Sequence, residues 1–143
     1  MIKGIGTDLI EKRRVEKSIS KFGNKFIKKV LTEKEQQEYQ TKKTTEKKVS
    51  FLSNTFACKE AVCKALGTGF SEGITLKNIE VLREANGNPY LKLLGKAKKK
   101  AAEGGFENFT LSISDTKDHS LALVIGEGKC CLLYTSPSPR DRG

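Results

Sequence analysis

Lys59-Glu60 and Lys64, followed at once by Gly67-Thr68-Gly69, are the residues of this chain best suited to chemistry. A carboxylate can hold a divalent cation, ammonium groups can take phosphate oxygens, and glycines let backbone N–H groups come close to an anion. Together they suit a metal-bound polyphosphate. The plainer reading makes Glu60 and Lys64, one turn apart, a surface ion pair worth about 0.3–0.5 kcal/mol. Their surroundings argue against that. Phe56 to Leu66 is rich in Ala, Leu, Glu and Lys, contains no Pro, and ends at Gly67, so it reads as a helix with a C-terminal stop. At roughly 100° per residue, Leu52, Phe56, Val62, Cys63 and Leu66 form one apolar stripe. Ala57, Ala61 and Ala65 form a ridge of small residues on nearly the opposite side, where another backbone can approach. A helix apolar on two sides is mostly buried. Ionisable groups on such a helix are usually paired, metal-bound or functional. Lys59 falls inside the apolar stripe; Glu60 and Lys64 stand at its edge.

A second carboxylate comes from the start of the chain. Ile2 to Ile10 reads as a strand with Gly4, Gly6 and Asp8 on one face and Lys3, Ile5, Thr7 and Leu9 on the other. Glycines weaken a strand and mark close approach by a ligand or another backbone. Asp8 then stands at the strand end on the face the glycines leave empty, although as an isolated residue it would read as a helix cap or turn.

Between these two stretches, Glu11 to Val30 turns helical, with Val15, Ile19, Phe22, Phe26, Ile27 and Val30 as the inward set and a break at Gly23-Asn24. Its outward positions, Lys12, Arg13, Arg14, Lys17, Lys21, Lys25, Lys28 and Lys29, face only Glu11 and Glu16 as counter-charges. So one-signed a run suggests a docking surface for an acidic partner. Thr32-Glu33-Lys34-Glu35 is a capping box opening a polar helix to about Gln40. Lys42 to Lys48 reads as a loop, with the central helix beginning near Ser50–Ser53. Beyond Gly69 the period becomes two. Ile79–Leu82 and Tyr90–Leu94 read as a hairpin about Asn86-Gly87-Asn88-Pro89. Gly95 to Glu103 reads as a short basic helix, and Phe109–Ser114 and Ser120–Ile125 as two more strands. His119 lies in the turn between them and reads as solvated.

The 143 residues make one domain, expected over residues 1–127, with the mixed elements of an α+β fold. Residues 128–143 lack periodicity, carry two of the three prolines, and read as a foreign or disordered tail resembling a translated sequencing adapter. A net charge of +10 calls for an anionic partner. No apolar run reaches the roughly 18 residues that span a bilayer. Cys58 and Cys63 fit neither a zinc spacing nor a redox motif, and no export signal is present, so the expected compartment is the cytoplasm.

Gly4-x-Gly6-x-Asp8 and Phe56-Ala57-x-Lys59-Glu60-Ala61-x-x-Lys64-Ala65-x-Gly67-Thr68-Gly69 resemble the holo-acyl-carrier-protein synthases, the short bacterial 4'-phosphopantetheinyl transferases. Leu31-Thr32-x-x-Glu35, Asn86-Gly87-x-Pro89 and the closing strand pair follow in order, so the likeness covers residues 1–127. The resemblance implies an α+β homotrimer with its central helix on a small antiparallel sheet and sites at subunit interfaces. It implies transfer of phosphopantetheine from coenzyme A to a serine of apo-acyl carrier protein. On the same ground, Asp8 and Glu60 would ligate Mg2+, Lys59 and Lys64 would neutralise phosphate, with Glu60 and Lys64 catalytic, and Gly67-Thr68 would lie along the coenzyme. Arg13, Arg14, Lys17, Lys21, Lys25 and Lys28 would dock the acidic carrier. Thr55 and Asp115 stand where many members have Arg and His; other members share the Asp. Two rival readings are a small basic nucleic-acid-binding domain and an inactive interaction module of the same fold. The first predicts aromatics interleaved on a basic surface, and here most fall at core-phase positions; membrane and nucleic-acid partners are accordingly not expected.

Overall fold

The structure is a computed structural model that describes residues 1–67 and 73–129. Its elements run β1 (Ile2–Glu11), α1 (Lys12–Phe22), α2 (Asn24–Val30), α3 (Glu33–Thr41), α4 (Thr45–Leu66), a 3-10 turn (Leu76–Asn78), β2 (Ile79–Arg83), β3 (Pro89–Leu93), α5 (Gly95–Glu103), β4 (Phe106–Asp115) and β5 (His119–Gly128). β1, β5 and β4 form an antiparallel sheet in that order, and β2 and β3 a separate hairpin. The α+β class is as the sequence predicts.

The fold is built on the approach of α4 to β1. A Cβ placed on Gly6 would lie 1.8 Å from the Ala61 carbonyl oxygen, and one on Gly4 would lie 2.0 Å from that of Ala65. The glycine face of the strand and the alanine ridge of the helix are therefore two halves of one contact, in which backbone meets backbone. Ala122 and Val124 of β5 complete the core under the helix together with Ala57, Ala61, Val62 and Ala65. A second core joins Val15, Ile27, Val30, Leu31 and Tyr39 of the smaller helices to Phe51 and Leu52 of α4.

α4 begins a turn and more before Ser50. Thr44 caps it, its hydroxyl accepting from the Lys47 N–H at 3.1 Å, so residues 45–48 are helix where a loop was expected. That first turn carries no apolar periodicity; capping supplies what the pattern lacks. α1 and α2 part at Gly23, whose φ of 59° is left-handed. Two residues of this region depart from expectation. Phe22 is 52% exposed, with the Lys21 ammonium over its ring at 5.2 Å. Lys12 is buried rather than outward. Its ammonium donates to Asp115 Oδ2 at 2.8 Å, Ser50 Oγ at 3.0 Å and the Thr116 carbonyl at 2.6 Å, pinning the start of α1 to the β4–β5 turn.

The sheet has a second face. Ile5, Thr7 and Leu9 point away from α4, paired across β5 with Ile125, Leu123 and Leu121. Ile5, Leu9, Leu121 and Leu123 are all exposed, Leu9 by 64%. Gly128, assigned from sequence to the tail, belongs to β5. Its N–H donates to the Met1 carbonyl and its own carbonyl accepts from the Met1 amino group. Residues 130–143, the rest of the tail, lie outside the described residues.

Candidate active site

The close approach of β1 and α4 brings the two sequence-predicted carboxylates together. Asp8 stays within the strand, opposite Ala122, and is neither a cap nor a turn residue. Lys64, in the last turn of α4, reaches across rather than along its helix. Its ammonium donates to Asp8 Oδ1 at 3.0 Å and to the Thr7 carbonyl at 2.9 Å. Asp8 Oδ2 is buried and has no hydrogen-bond partner. Glu60, one turn before Lys64, shares the cleft. Burial, and then the Asp8 charge, push the Glu60 carboxyl above its ordinary pKa, against the opposing pull of Lys64.

Two carboxylates that repel each other, one with an orphaned buried oxygen, form an anionic site short of positive charge. A divalent cation relieves both defects. Among the described residues no group of three or more His, Cys, Asp or Glu is arranged to hold a metal. Two carboxylates in one cleft fit Mg2+, an ion usually held by one or two carboxylates with waters and substrate phosphates completing its shell.

The cleft has a volume of about 410 Å³, lined by Asp8, Glu60, Phe26 and Phe56 with Arg14 and Ser18 at its α1 side. An apolar groove of about 560 Å³ continues from it past Phe56 and Glu60, between Lys28 and Lys29 on one side and Ile74 to Lys77 on the other. Of the basic run, Arg14, Lys17, Lys21, Lys25 and Lys28 are exposed, and Arg14 reaches the cleft itself. Arg13, also exposed, lines a different cavity with Glu16, Lys117 and His119. The helical step of about 100° separates it from Arg14.

Lys59 is corrected by the structure. It is 0% exposed and its ammonium donates to Glu35 Oε1 and the Val30 carbonyl, each at 2.6 Å. It lines neither the cleft nor the groove, so it does not meet a phosphate there. Glu35, read from sequence as the capping residue that could also face the site, accepts instead from the Val81 N–H through Oε2 at 2.7 Å. Lys59's place in the apolar stripe was the available signal: a lysine at full burial needs a carboxylate partner.

The sequence model of the 4'-phosphopantetheinyl transferase superfamily matches residues 4–124. The chain belongs to this superfamily. A "Holo-[acyl-carrier-protein] synthase" of Halorhodospira halophila is 38% identical over 125 residues, 87% of this chain and 97% of the relative. The crystal structure of the holo-[acyl-carrier-protein] synthase of Neisseria meningitidis superposes with a TM-score of 0.81 at 37% identity, covering 89% of this chain and 99% of that one. The Bacillus anthracis holo-(acyl-carrier-protein) synthase in complex with CoA (3',5'-ADP) matches with a TM-score of 0.75 at 33% identity, over 90% of this chain and 99% of that one.

Within this transferase superfamily the chain's two departures have structural neighbours of their own. Thr55 is buried, and Asp115 is held by Lys12. Gly67 ends α4 in the left-handed region at φ 83°, its N–H returning to the Cys63 and Lys64 carbonyls. Thr68 and Gly69 lie outside the described residues. Cys58 and Cys63 are free and buried, and burial drives both thiols up to about 12, so they stay protonated and unreactive. Among the described residues no helix is long and apolar enough to cross a membrane.

Proposed function

We propose that this chain transfers the 4'-phosphopantetheine group of coenzyme A to a serine hydroxyl of apo-acyl carrier protein, releasing adenosine 3',5'-bisphosphate. The observation that carries this reading is the Asp8–Glu60–Lys64 cluster at the seam of β1 and α4, in a chain whose family and relatives are phosphopantetheinyl transferases. Asp8 and Glu60 are the residues that would hold Mg2+ for coenzyme A. When bound, the cation neutralises phosphate charge and stabilises the leaving group. Lys64, already fixed by Asp8 and the Thr7 carbonyl, keeps a positive charge beside the same oxygens. Gly67, at the end of α4, lies along the coenzyme.

In the reaction the serine oxygen forms a bond to the β-phosphorus and the bridging P–O bond to the departing bisphosphate breaks. The hydroxyl proton leaves to a base in the cleft. Glu60, in the cleft beside Asp8, or a water held by the bound cation takes that proton. Arg14, Lys17, Lys21, Lys25 and Lys28, with Arg13 at the flank, meet the acidic carrier, and exposed Phe22 adds apolar surface beside them. The chain works as a homotrimer in the cytoplasm. The exposed row of Ile5, Leu9, Leu121 and Leu123 supports self-association, because a soluble monomer rarely leaves such a row uncovered.

Release of adenosine 3',5'-bisphosphate, followed by chromatography, tests the reading. It should require coenzyme A, apo-carrier and Mg2+ together, and Asp8→Ala and Glu60→Ala should each reduce it by about 100-fold or more. Full activity of either variant at limiting Mg2+ would remove the metal from the account.

A further inference from the structure

Lys59 is next to Glu60 in sequence, yet it takes no part in the cleft. Its bonds gather two separate elements onto α4 at that point, and Glu35 adds a third. The Val30 carbonyl is the last of α2. Glu35 lies in the first turn of α3, where its Oε1 also accepts from the Thr32 N–H at 2.8 Å as part of the capping box. Through Oε2, Glu35 holds the Val81 N–H of β2 at 2.7 Å, and the Thr32 hydroxyl donates to Glu80 Oε2 of the same strand at 2.6 Å. Lys59, Glu35, Thr32 and Glu80 are all buried.

These ties end on both walls of the groove beside Glu60. One wall is α2, with Lys28 and Lys29, anchored two residues later at Val30. The other is residues 74–77, anchored three and four residues later through Glu80 and Val81. We propose that Lys59 and Glu35 are a positioning pair: they set where α2 and the segment before β2 stand relative to Glu60, and so align the basic docking surface with the cleft. This rests on the docking reading given above.

The geometry favours positioning over bulk stability. A buried ion pair is often no better for stability than neutral side chains of the same shape. What neutral groups do not reproduce is the simultaneous hold on a carbonyl of α2 and an N–H of β2. The shape-conserving replacement Lys59→Met with Glu35→Gln leaves one amide oxygen, for either the Thr32 or the Val81 N–H, and removes the charge and the bond to Val30.

The paired variant should fold, keep its kcat at saturating carrier within about threefold, and keep its KM for coenzyme A within about twofold. Its KM for apo-carrier should rise about fivefold or more, as for a change confined to carrier binding. Wild-type KM for the carrier in the folded variant overturns the proposal, and so does a matching rise in the KM for coenzyme A. Should the paired variant not fold, Thr32→Val keeps the ion pair and cuts both the hydroxyl's bond to Glu80 and the cap bond it accepts from the Glu35 N–H. It should raise the carrier KM about threefold, and an unchanged value overturns the proposal. Failure of both variants to fold makes the network purely structural, with the same result. Lys17→Glu with Lys21→Glu, outside the cleft, serves as the control on docking. If that reversal leaves the carrier KM unchanged, the docking reading has failed; if it raises the KM and the Lys59 variant does not, only the present inference has.

Discussion

At the scale of single residues, one helical step separates two unlike fates. Lys59 and Glu60 are adjacent, and sequence alone suggests both for the same anion. The fold turns Lys59 inward to Glu35 and leaves Glu60 in the cleft with Asp8. Which element faces a side chain is a tertiary fact, and residue type does not carry it. The environment of Glu60 has a measurable consequence in the metal-free protein. Its raised pKa means the native state holds the proton where the unfolded chain has released it. Stability contributed by the protonated form is therefore present below the ordinary value of 4.5 and is lost as pH rises through the raised one. In chelator at neutral pH, Glu60→Gln should unfold at a higher temperature than wild type, and the gap should close below about pH 4. A lower Tm at pH 7 contradicts the assigned environment.

At the scale of elements, the site exists because α4 lies directly on β1. Gly6→Ala would put a methyl 1.8 Å from the Ala61 carbonyl oxygen, where only backbone movement can make room. It should destabilise the protein by about 1–3 kcal/mol, as overpacking does, and separate Asp8 from Lys64. Urea denaturation checks the first effect and transfer rate the second; an active, fully stable variant refutes the close contact. This seam was readable in advance, since two alternate glycines in a strand and three alanines at i, i+4 and i+8 have few other uses. The first turn of α4 was not, because Thr45 to Lys48 has no apolar period and depends on the Thr44 cap. Nor was the inward turn of Lys12, which a charge run disguises. The rest of that run supports a test of docking. Reversing Arg14 and Lys21 to Glu should raise the carrier KM about tenfold at low salt, and added salt should narrow the gap. For Lys17→Glu with Lys21→Glu, which spares the cleft residue Arg14, the KM for coenzyme A should hardly move.

For the whole molecule, the alternation of β1 predicted two faces, and the structure covers only one of them. The glycine face takes α4, while Ile5 and Leu9, with Leu121 and Leu123 of β5, remain exposed. The pairing partner of a face cannot be read from one chain's periodicity, which specifies only that the face is apolar. Leu9→Lys with Leu123→Lys should convert the proposed trimer to smaller species in light scattering, with loss of transfer. A wild type that is monomeric and active removes the trimer from the account. The central claim is the transfer itself, and intact-mass spectrometry of the acceptor tests it most directly. After incubation of the wild-type chain with coenzyme A, Mg2+ and apo-acyl carrier protein, the carrier should gain the mass of one phosphopantetheine arm, and a carrier whose acceptor serine is replaced by Ala should gain nothing. An apo-carrier of unchanged mass, under conditions where the chain is folded, would contradict the account.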